Sequence, residues 1–382
     1  MIKIIDCNPV VLPVHSELYR NPPRPRTKME DGYLAKYDGH TLAVDAFNAG
    51  PYVRLIGPPL LNLNEQMANA RIILDGYETA SFNWQDYHKM SRAKVEKTGS
   101  VQKMRLEIGR ETLDVPVAGD DLSSFQGANV LITMNKNNRL ENIYDWALNF
   151  AKNHNVDSLI LYENRSHYYS LEEMADYLSA LPLETIYLVD WPFKFGSTGG
   201  PNQIWDSDFG IYMCWEHARW RFLQFANSVF INDADEFPVS KSGDSLVNLV
   251  ESSSHGVIRY PVRNVPAAPR PGLDEQRIRL HSDYIYNNRQ FTNFSNKVAY
   301  QPIRLPEEVQ VGNHNFYGWE KETDTVDDVV AHHFIGVHYN WRDGDWSYSS
   351  AERAPLQECE EVDTVLAKAM KATFPDRFQD DA

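Results

Sequence analysis

The chain changes its hydrophobic rhythm near residue 120. Before that point short β-like runs alternate with turn residues: Tyr52 to Ile56, Ala70 to Leu74, Lys103 to Ile108 and Thr112 to Val117, with Asp75-Gly76 marking a tight turn. This pattern predicts an antiparallel β unit. Ahead of it, Arg20-Asn21-Pro22-Pro23-Arg24-Pro25-Arg26 predicts a loop or an extended arm. The small, polar stretch Ala118-Gly119-Asp120-Asp121 reads as a boundary, giving a β-rich accessory domain over 1–122 and a second domain over 123–382.

From Asn129 the pattern becomes strand, helix, strand, helix. Asn129 to Met134 is a short apolar run, and Ile143, Trp146, Ala147, Phe150 and Ala151 follow at helical spacing. Asp157 to Tyr162 is the next strand. Ser170, with Glu173 three residues on, has the form of a capping box and starts a helix through about Leu181. Thr185 to Val189 is a third strand. Phe209, Tyr212, Met213, Trp220 and Leu223 trace a long helix, and Val229 to Asn232 is a fourth strand ending at Asp233. Such alternation predicts an α/β fold with parallel pairing, in which ligands gather at the carboxyl ends of the strands. Three polar clusters fall at those ends: Thr133-Met134-Asn135, Glu163-Asn164-Arg165-Ser166 and Asp233-Ala234-Asp235-Glu236. After residue 255 strands are expected at Val257 to Val262, Val298 to Ile303, Val309 to Val311 and Phe334 to Tyr339. The long polar stretch from Asn264 to Asn296 interrupts them, and a helix through Val365, Leu366, Ala369 and Met370 follows.

Composition adds exclusions. With 42% apolar and 24% charged residues, the 382-residue chain can build an ordinary core. A formal charge of −16 does not suit nucleic-acid or anionic-membrane binding, although a bound cation can invert the local sign. No window of the sequence reaches the length of a transmembrane segment. The opening residues lack a signal-peptide core, and Cys7, Cys214 and Cys359 show no zinc or disulfide spacing, so a reducing, cytoplasmic setting is expected.

The sharpest chemical feature is Phe230-Ile231-Asn232-Asp233-Ala234-Asp235-Glu236-Phe237, a hydrophobic strand that runs into three acids within four positions. Unpaired burial of so many carboxylates is costly, and Mg²⁺ or Mn²⁺ would bridge them to phosphate. Downstream, His314, His332-His333 and His338-Tyr339 supply imidazoles. Eight bases against three acids between Arg259 and Arg304 suit donor phosphates or an anionic acceptor.

Together these segments resemble a GT-A glycosyltransferase, most closely the family 92 type and its bacterial relatives. The likeness runs through Asn137 to Glu141, Trp146, Tyr162-Glu163-Asn164-Arg165-Ser166, Asp190-Trp191 and Asp233-Ala234-Asp235-Glu236-Phe237. The resemblance implies a Rossmann-like nucleotide-sugar domain behind an N-terminal β-rich domain. It implies Asp233 at the ribose and metal, and Asp235 as a direct metal ligand. It puts Glu163, Asn164 and Ser166 near the nucleoside, and Thr133 and Asn135 in the base pocket. Glu163 stands where the family usually has Asp. Lys297 resembles a position that opens a late strand, and His338 resembles the late His-Tyr that completes the metal shell, with His314 its competitor. The family type leans towards inversion.

The expected activity is metal-dependent transfer of a sugar from a UDP- or GDP-sugar to a glycan or glycoconjugate, in bacterial surface-polysaccharide synthesis. Mn²⁺ or Mg²⁺ would stabilise the departing diphosphate. Asp274, Asp283 and Glu320 are the candidate bases, and Trp191, Trp205 and Trp319 the candidate sugar-stacking rings. Two other readings are a nucleotidyltransferase acting on phosphosugars and a non-catalytic carbohydrate-binding protein. The absence of glycine from Asn129 to Leu140 disfavours the first, and the intact Asp233/Asp235 pair disfavours the second.

Overall fold

The protein is described here by a computed structural model covering residues 1–79, 82–197, 199, 203–274, 277–337, 339–340, 345–346 and 356–381. It is a mixed α/β protein whose centre is a ten-stranded mixed sheet. Nine strands form its path: β1 (Ile2–Ile5), β2 (Asn129–Asn135), β3 (Ser158–Glu163), β4 (Thr185–Asp190), β5 (Ser228–Ile231), β6 (Glu236–Ser240), β7 (Val257–Val265), β8 (Ser295–Tyr300) and β9 (Val329–Phe334). Their order in space is β1-β4-β3-β2-β5-β8-β7-β9-β6, with Asp324–Thr325 beside β7. The first five strands of that order pair in parallel, and β8 then runs antiparallel to β5. Strands β2 to β5 are thus the alternating α/β half that the hydrophobic pattern predicted.

The crossovers are α1 (Leu140–His154), α2 (Leu171–Leu178) and α3 (Phe209–Arg221); α4 (Leu246–Ser252) and α5 (Thr364–Thr373) lie further along. Helix α2 starts with the predicted capping box: the Ser170 hydroxyl accepts from the Glu173 amide and the Glu173 carboxylate accepts from the Ser170 amide. It ends at Leu178, a few residues before the expected stop.

The N-terminal part holds two four-stranded antiparallel sheets around their own core. One orders Glu111–Pro116, Lys103–Ile108, Arg71–Leu74 and Tyr77–Glu78; the other orders Asp45–Ala49, Tyr52–Gly57, Ser91–Glu96 and Asn83–Asp86. Asp75 and Gly76, both at positive φ, form the predicted tight turn. The boundary expected at residue 122 does not hold for the chain's first strand. Residues Ile2 to Ile5 leave the accessory part and pair with Ile186 to Val189 at the edge of the central sheet. The polar stretch Asn264 to Asn296 is also less open than its composition suggests. Tyr286–Asn288 within it pairs with Glu360–Val362.

Helix α3 joins the two parts. It is buried on nearly every side, because the central sheet lies against one face and the N-terminal β unit against the other. Its polar residues are therefore matched across the seam. Arg92 from the β unit meets Glu216 at 2.9 Å, and Asp45 accepts from His217 Nε2 at 2.9 Å and from Arg221 at 2.7 Å. The Tyr162 hydroxyl bonds His217 Nδ1 from the sheet side at 2.7 Å. Removing one member of such a buried set leaves the others charged and desolvated. Asp45→Ala should cost about 3–5 kcal/mol, read as a large drop in the thermal unfolding midpoint; an unchanged midpoint would show that the seam does not hold the two parts together.

Candidate active site at the strand ends

The carboxyl ends of β2, β3 and β5 open into a cavity of about 570 Å³. Its floor is the acidic turn after β5, and the local hydrogen bonds explain the shape of that turn. The Glu236 carboxylate turns back to accept from the Asp233 amide at 3.0 Å and from Asn232 Nδ2 at 3.3 Å. Lys297, from the neighbouring strand β8, places its ammonium 2.6 Å from Asp233 and 3.0 Å from Glu236. The Lys297 side chain is only 1% exposed, so this is a desolvated clamp. The Tyr260 hydroxyl holds Asn232 from β7. Burial works against the Lys297 charge, but the two carboxylates outweigh it and raise its pKa. Burial pushes the Glu236 carboxyl up to about 7, with Lys297 pulling the other way.

The three acids thus divide their work. All three line the cavity, but Glu236 is buried and anchors the turn, while the Asp233 side chain is 42% exposed. Asp235 faces His333 Nε2 at 3.3 Å, and His333 Nδ1 donates to Asn264 Oδ1 at 2.8 Å. Burial lowers the His333 pKa, but Asp235, Glu236 and Asp233 outweigh it and the net direction is up. A carboxylate beside an imidazole, with an amide orienting the ring, is a donor set that suits Mn²⁺. In the sequence His333 is one of several downstream histidines and nothing local singles it out. Its signal is a strand pairing: β9 runs antiparallel to β6 with His333 opposite Glu236. Among the described residues, three ligand atoms of His, Cys, Asp or Glu converge only at Cys7, Asp45 and His217. That cluster lies in the seam, where Arg221 and Tyr162 already engage it.

The predicted nucleoside residues form two layers. Asn135 and Asn164 line the cavity. Asn164 donates to the carbonyls of Trp191 and Phe193, both at 2.8 Å. Thr133, Glu163 and Ser166 do not line it and stand behind. Glu163 accepts from Asn135 and from the Ser166 amide, and the Ser166 hydroxyl accepts from the Asn137 amide at 2.7 Å. Burial raises the Glu163 pKa against these bonds. Glu163 therefore ties the loop after β3 to Asn135 at the end of β2.

Other expectations fare differently. His314 reaches the cavity, with Nδ1 donating to the Asn296 carbonyl at 2.8 Å and Nε2 beside the Asn313 amide at 2.9 Å. His338 lies outside the described residues. The three candidate bases do not line the cavity. Asp283 is fully buried, paired with Arg277 and accepting from the Leu280 amide; Asp274 and Glu320 are exposed elsewhere. Of the three tryptophans, only Trp205 lines the cavity, while Trp191 is core. None of the bases between Arg259 and Arg304 lines it, and Lys297 acts from beneath. The lysines that do line it are Lys136, which donates to the Asn164 carbonyl at 3.0 Å, and Lys89, which comes from the N-terminal β unit. No sequence pattern linked Lys89 to this site.

Comparison with known proteins adds a likeness in three dimensions. No family model matches the chain, and no curated protein matches its sequence. Solved structures do match. One is the bifunctional glycosyltransferase WbbM, at 16% identity and a TM-score of 0.26, over 44% of this chain and 27% of that one. A second, described as a nucleotide-diphospho-sugar transferase from Desulfovibrio desulfuricans G20, matches at 8% identity and a TM-score of 0.28, over 66% of this chain and 98% of that one. Residues 1–349 of S. aureus TarS, solved in complex with UDP, match at 12% identity and a TM-score of 0.27, over 65% and 72% of the two chains. The chain spans about a quarter of the length of WbbM. The first two carry a sugar-transferase description and the third a bound UDP, and none of them carries a family 92 description.

Two outcomes follow from the clamp. Lys297→Met leaves Asp233 and Glu236 facing each other without their cation and should destabilise the protein by about 3–5 kcal/mol, measured by chemical denaturation; a loss near zero would mean that the clamp is solvated. Glu236 holds its proton more tightly folded than unfolded, so its contribution to stability is complete below pH 4.5 and is lost as pH rises to about 7. Glu236→Gln should flatten that part of the stability–pH curve, and a parallel offset between the two curves would contradict it.

Proposed function

We propose that the protein is a metal-dependent glycosyltransferase of GT-A type that takes a sugar from a nucleoside-diphosphate donor. One observation carries this reading: Asp233 and Asp235 line a cavity at the carboxyl ends of parallel strands, with the oriented imidazole of His333 beside Asp235. Asp235 and His333 would hold the cation, with Asp233 beside them. Mn²⁺ or Mg²⁺ needs few protein ligands where substrate phosphates complete its shell. When bound, the cation supplies a Lewis-acidic charge for the developing diphosphate.

The chain's own residues supply the rest. Asn135, Asn164 and Lys136 offer polar contacts for the nucleoside and phosphates, at two strand ends tied together by Glu163. Lys297 pairs with Asp233 and fixes its position without entering the cavity. Trp205 and Phe195 offer flat faces to a sugar ring. The acceptor is a glycan or glycoconjugate, and the β unit over Asp45 to Pro116 acts as an accessory domain to the catalytic sheet. No helix of the described residues is long and apolar enough to cross a membrane.

Calorimetric titration with UDP and GDP, with and without Mn²⁺, tests the reading. Binding should need the metal. Asp235→Ala should abolish it and leave the fold intact by circular dichroism, and Asn264→Ala should weaken metal affinity by about 10–100-fold. Metal-independent binding, or full binding by the Asp235 variant, would remove the metal from the mechanism.

A further inference from the structure

We propose that Asp208 is the general base of the transfer and that Lys89, delivered by the N-terminal β unit, positions it; this rests on the donor reading above. Four carboxylates line the cavity: Asp208, Asp233, Asp235 and Glu236. Glu236 anchors the turn, Asp233 engages Lys297, and Asp235 engages His333. Asp208 comes from a different element, the residue just before α3, and its ion pair is with Lys89 at 2.8 Å.

Both partners are held by construction. The Gly210 amide donates to the Phe195 carbonyl at 2.9 Å, and the two segments touch so closely that a Cβ on Gly196 would lie 1.7 Å from the Ser207 carbonyl oxygen. A Cβ on Gly210 would lie 2.7 Å from the Phe195 Cα. The backbone on both sides of Asp208 is therefore fixed. Lys89 sits at a positive φ of 57° in the turn joining Asn83–Asp86 to Ser91–Glu96. Next to it, His88 stacks on Tyr317 with ring centroids 4.1 Å apart, and its backbone amide and carbonyl both bond the Gln310 side chain at 2.8 Å. The hairpin tip is thus docked, and the Lys89 ammonium lies 4.9 Å over the Tyr212 ring.

The geometry suits an acceptor hydroxyl. Phe195, Trp205 and Tyr212 line the same cavity as Asp208, which pairs aromatic surface with a carboxylate, the usual combination for a sugar. In the reaction the hydroxyl oxygen bonds the anomeric carbon as the bond from that carbon to the diphosphate oxygen breaks. The electron pair leaves with the diphosphate, and the hydroxyl proton passes to Asp208. A carboxylate is a weak base. That is enough when the sugar carries oxocarbenium character and the nucleophile becomes acidic as it bonds.

The test uses the full chain as wild type, Asp208→Asn, Lys89→Met and Lys89→Arg. UDP binding in Mn²⁺ is measured by calorimetry, and hydrolysis of UDP-glucose, UDP-galactose, UDP-N-acetylglucosamine and GDP-mannose is followed with water as acceptor. All four proteins should bind UDP with unchanged affinity, which also reports that they fold. Asp208→Asn should lower kcat by about 10²–10⁴-fold. Lys89→Met should lower kcat by about 10²-fold with KM little changed, and Lys89→Arg should restore most of it. Wild-type kcat in Asp208→Asn overturns the assignment, as does a wild type that binds UDP and hydrolyses none of the four donors. Wild-type kcat in Lys89→Met overturns the positioning role. A wild type that binds no UDP in Mn²⁺ defeats the donor reading first, and the base assignment falls with it.

Discussion

A lysine ammonium buried between two carboxylates is the constraint on which the acidic corner depends. Three acids packed into one turn would repel one another and draw in water. Lys297 settles this by joining Asp233 to Glu236 from the adjacent strand, while Glu236 folds back on the Asp233 amide. The desolvation of that lysine is large, and it is tolerated because both carboxylates are within contact. The clamp gives Asp233 and Asp235 a fixed floor, so a cation approaching them would meet preset groups.

The second organising feature is the polar face that α3 turns toward the N-terminal β unit. A helix with Glu216, His217, Arg219 and Arg221 all buried cannot stand alone in a core. Arg92 and Asp45 supply its counter-charges, and carbonyls of Leu305, Pro306 and Val309 take up Arg219. The β unit is thereby locked at one angle to the sheet, and its hairpin tip completes a wall of the cavity.

Much of the parallel half was legible in the sequence, for a physical reason. Strands buried on both faces read as unbroken apolar runs, and Ser170 with Glu173 announces a helix start without tertiary help. Other elements were silent. Asp45–Ala49 is fully buried yet carries Asp and Asn, because its polar side chains bond across the seam and to the Val101 backbone. Ser91–Glu96 carries Arg92, whose partner lies on α3. Among the residues that line the cavity, Asp233, Asp235, Asn135 and Asn164 were legible because they end or follow strands. His333 and Lys89 were not, since each arrives by pairing or docking of segments far apart in the chain. The proposed bases failed for a related reason: polar segments suggested exposure to substrate, but Asp283 is consumed by Arg277 and its own turn.

The pairing of the first strand has a consequence for how the chain must assemble. Lys3 reaches Tyr187, 184 residues away, and the entire β unit lies between those partners. Contacts of such long separation form late, after the loop-closure entropy of everything between has been overcome. During synthesis the opening segment would therefore wait, unpaired, until β4 has emerged. Until then the sheet's outer edge stays open, and it is where a nascent chain is exposed to pairing with a neighbour.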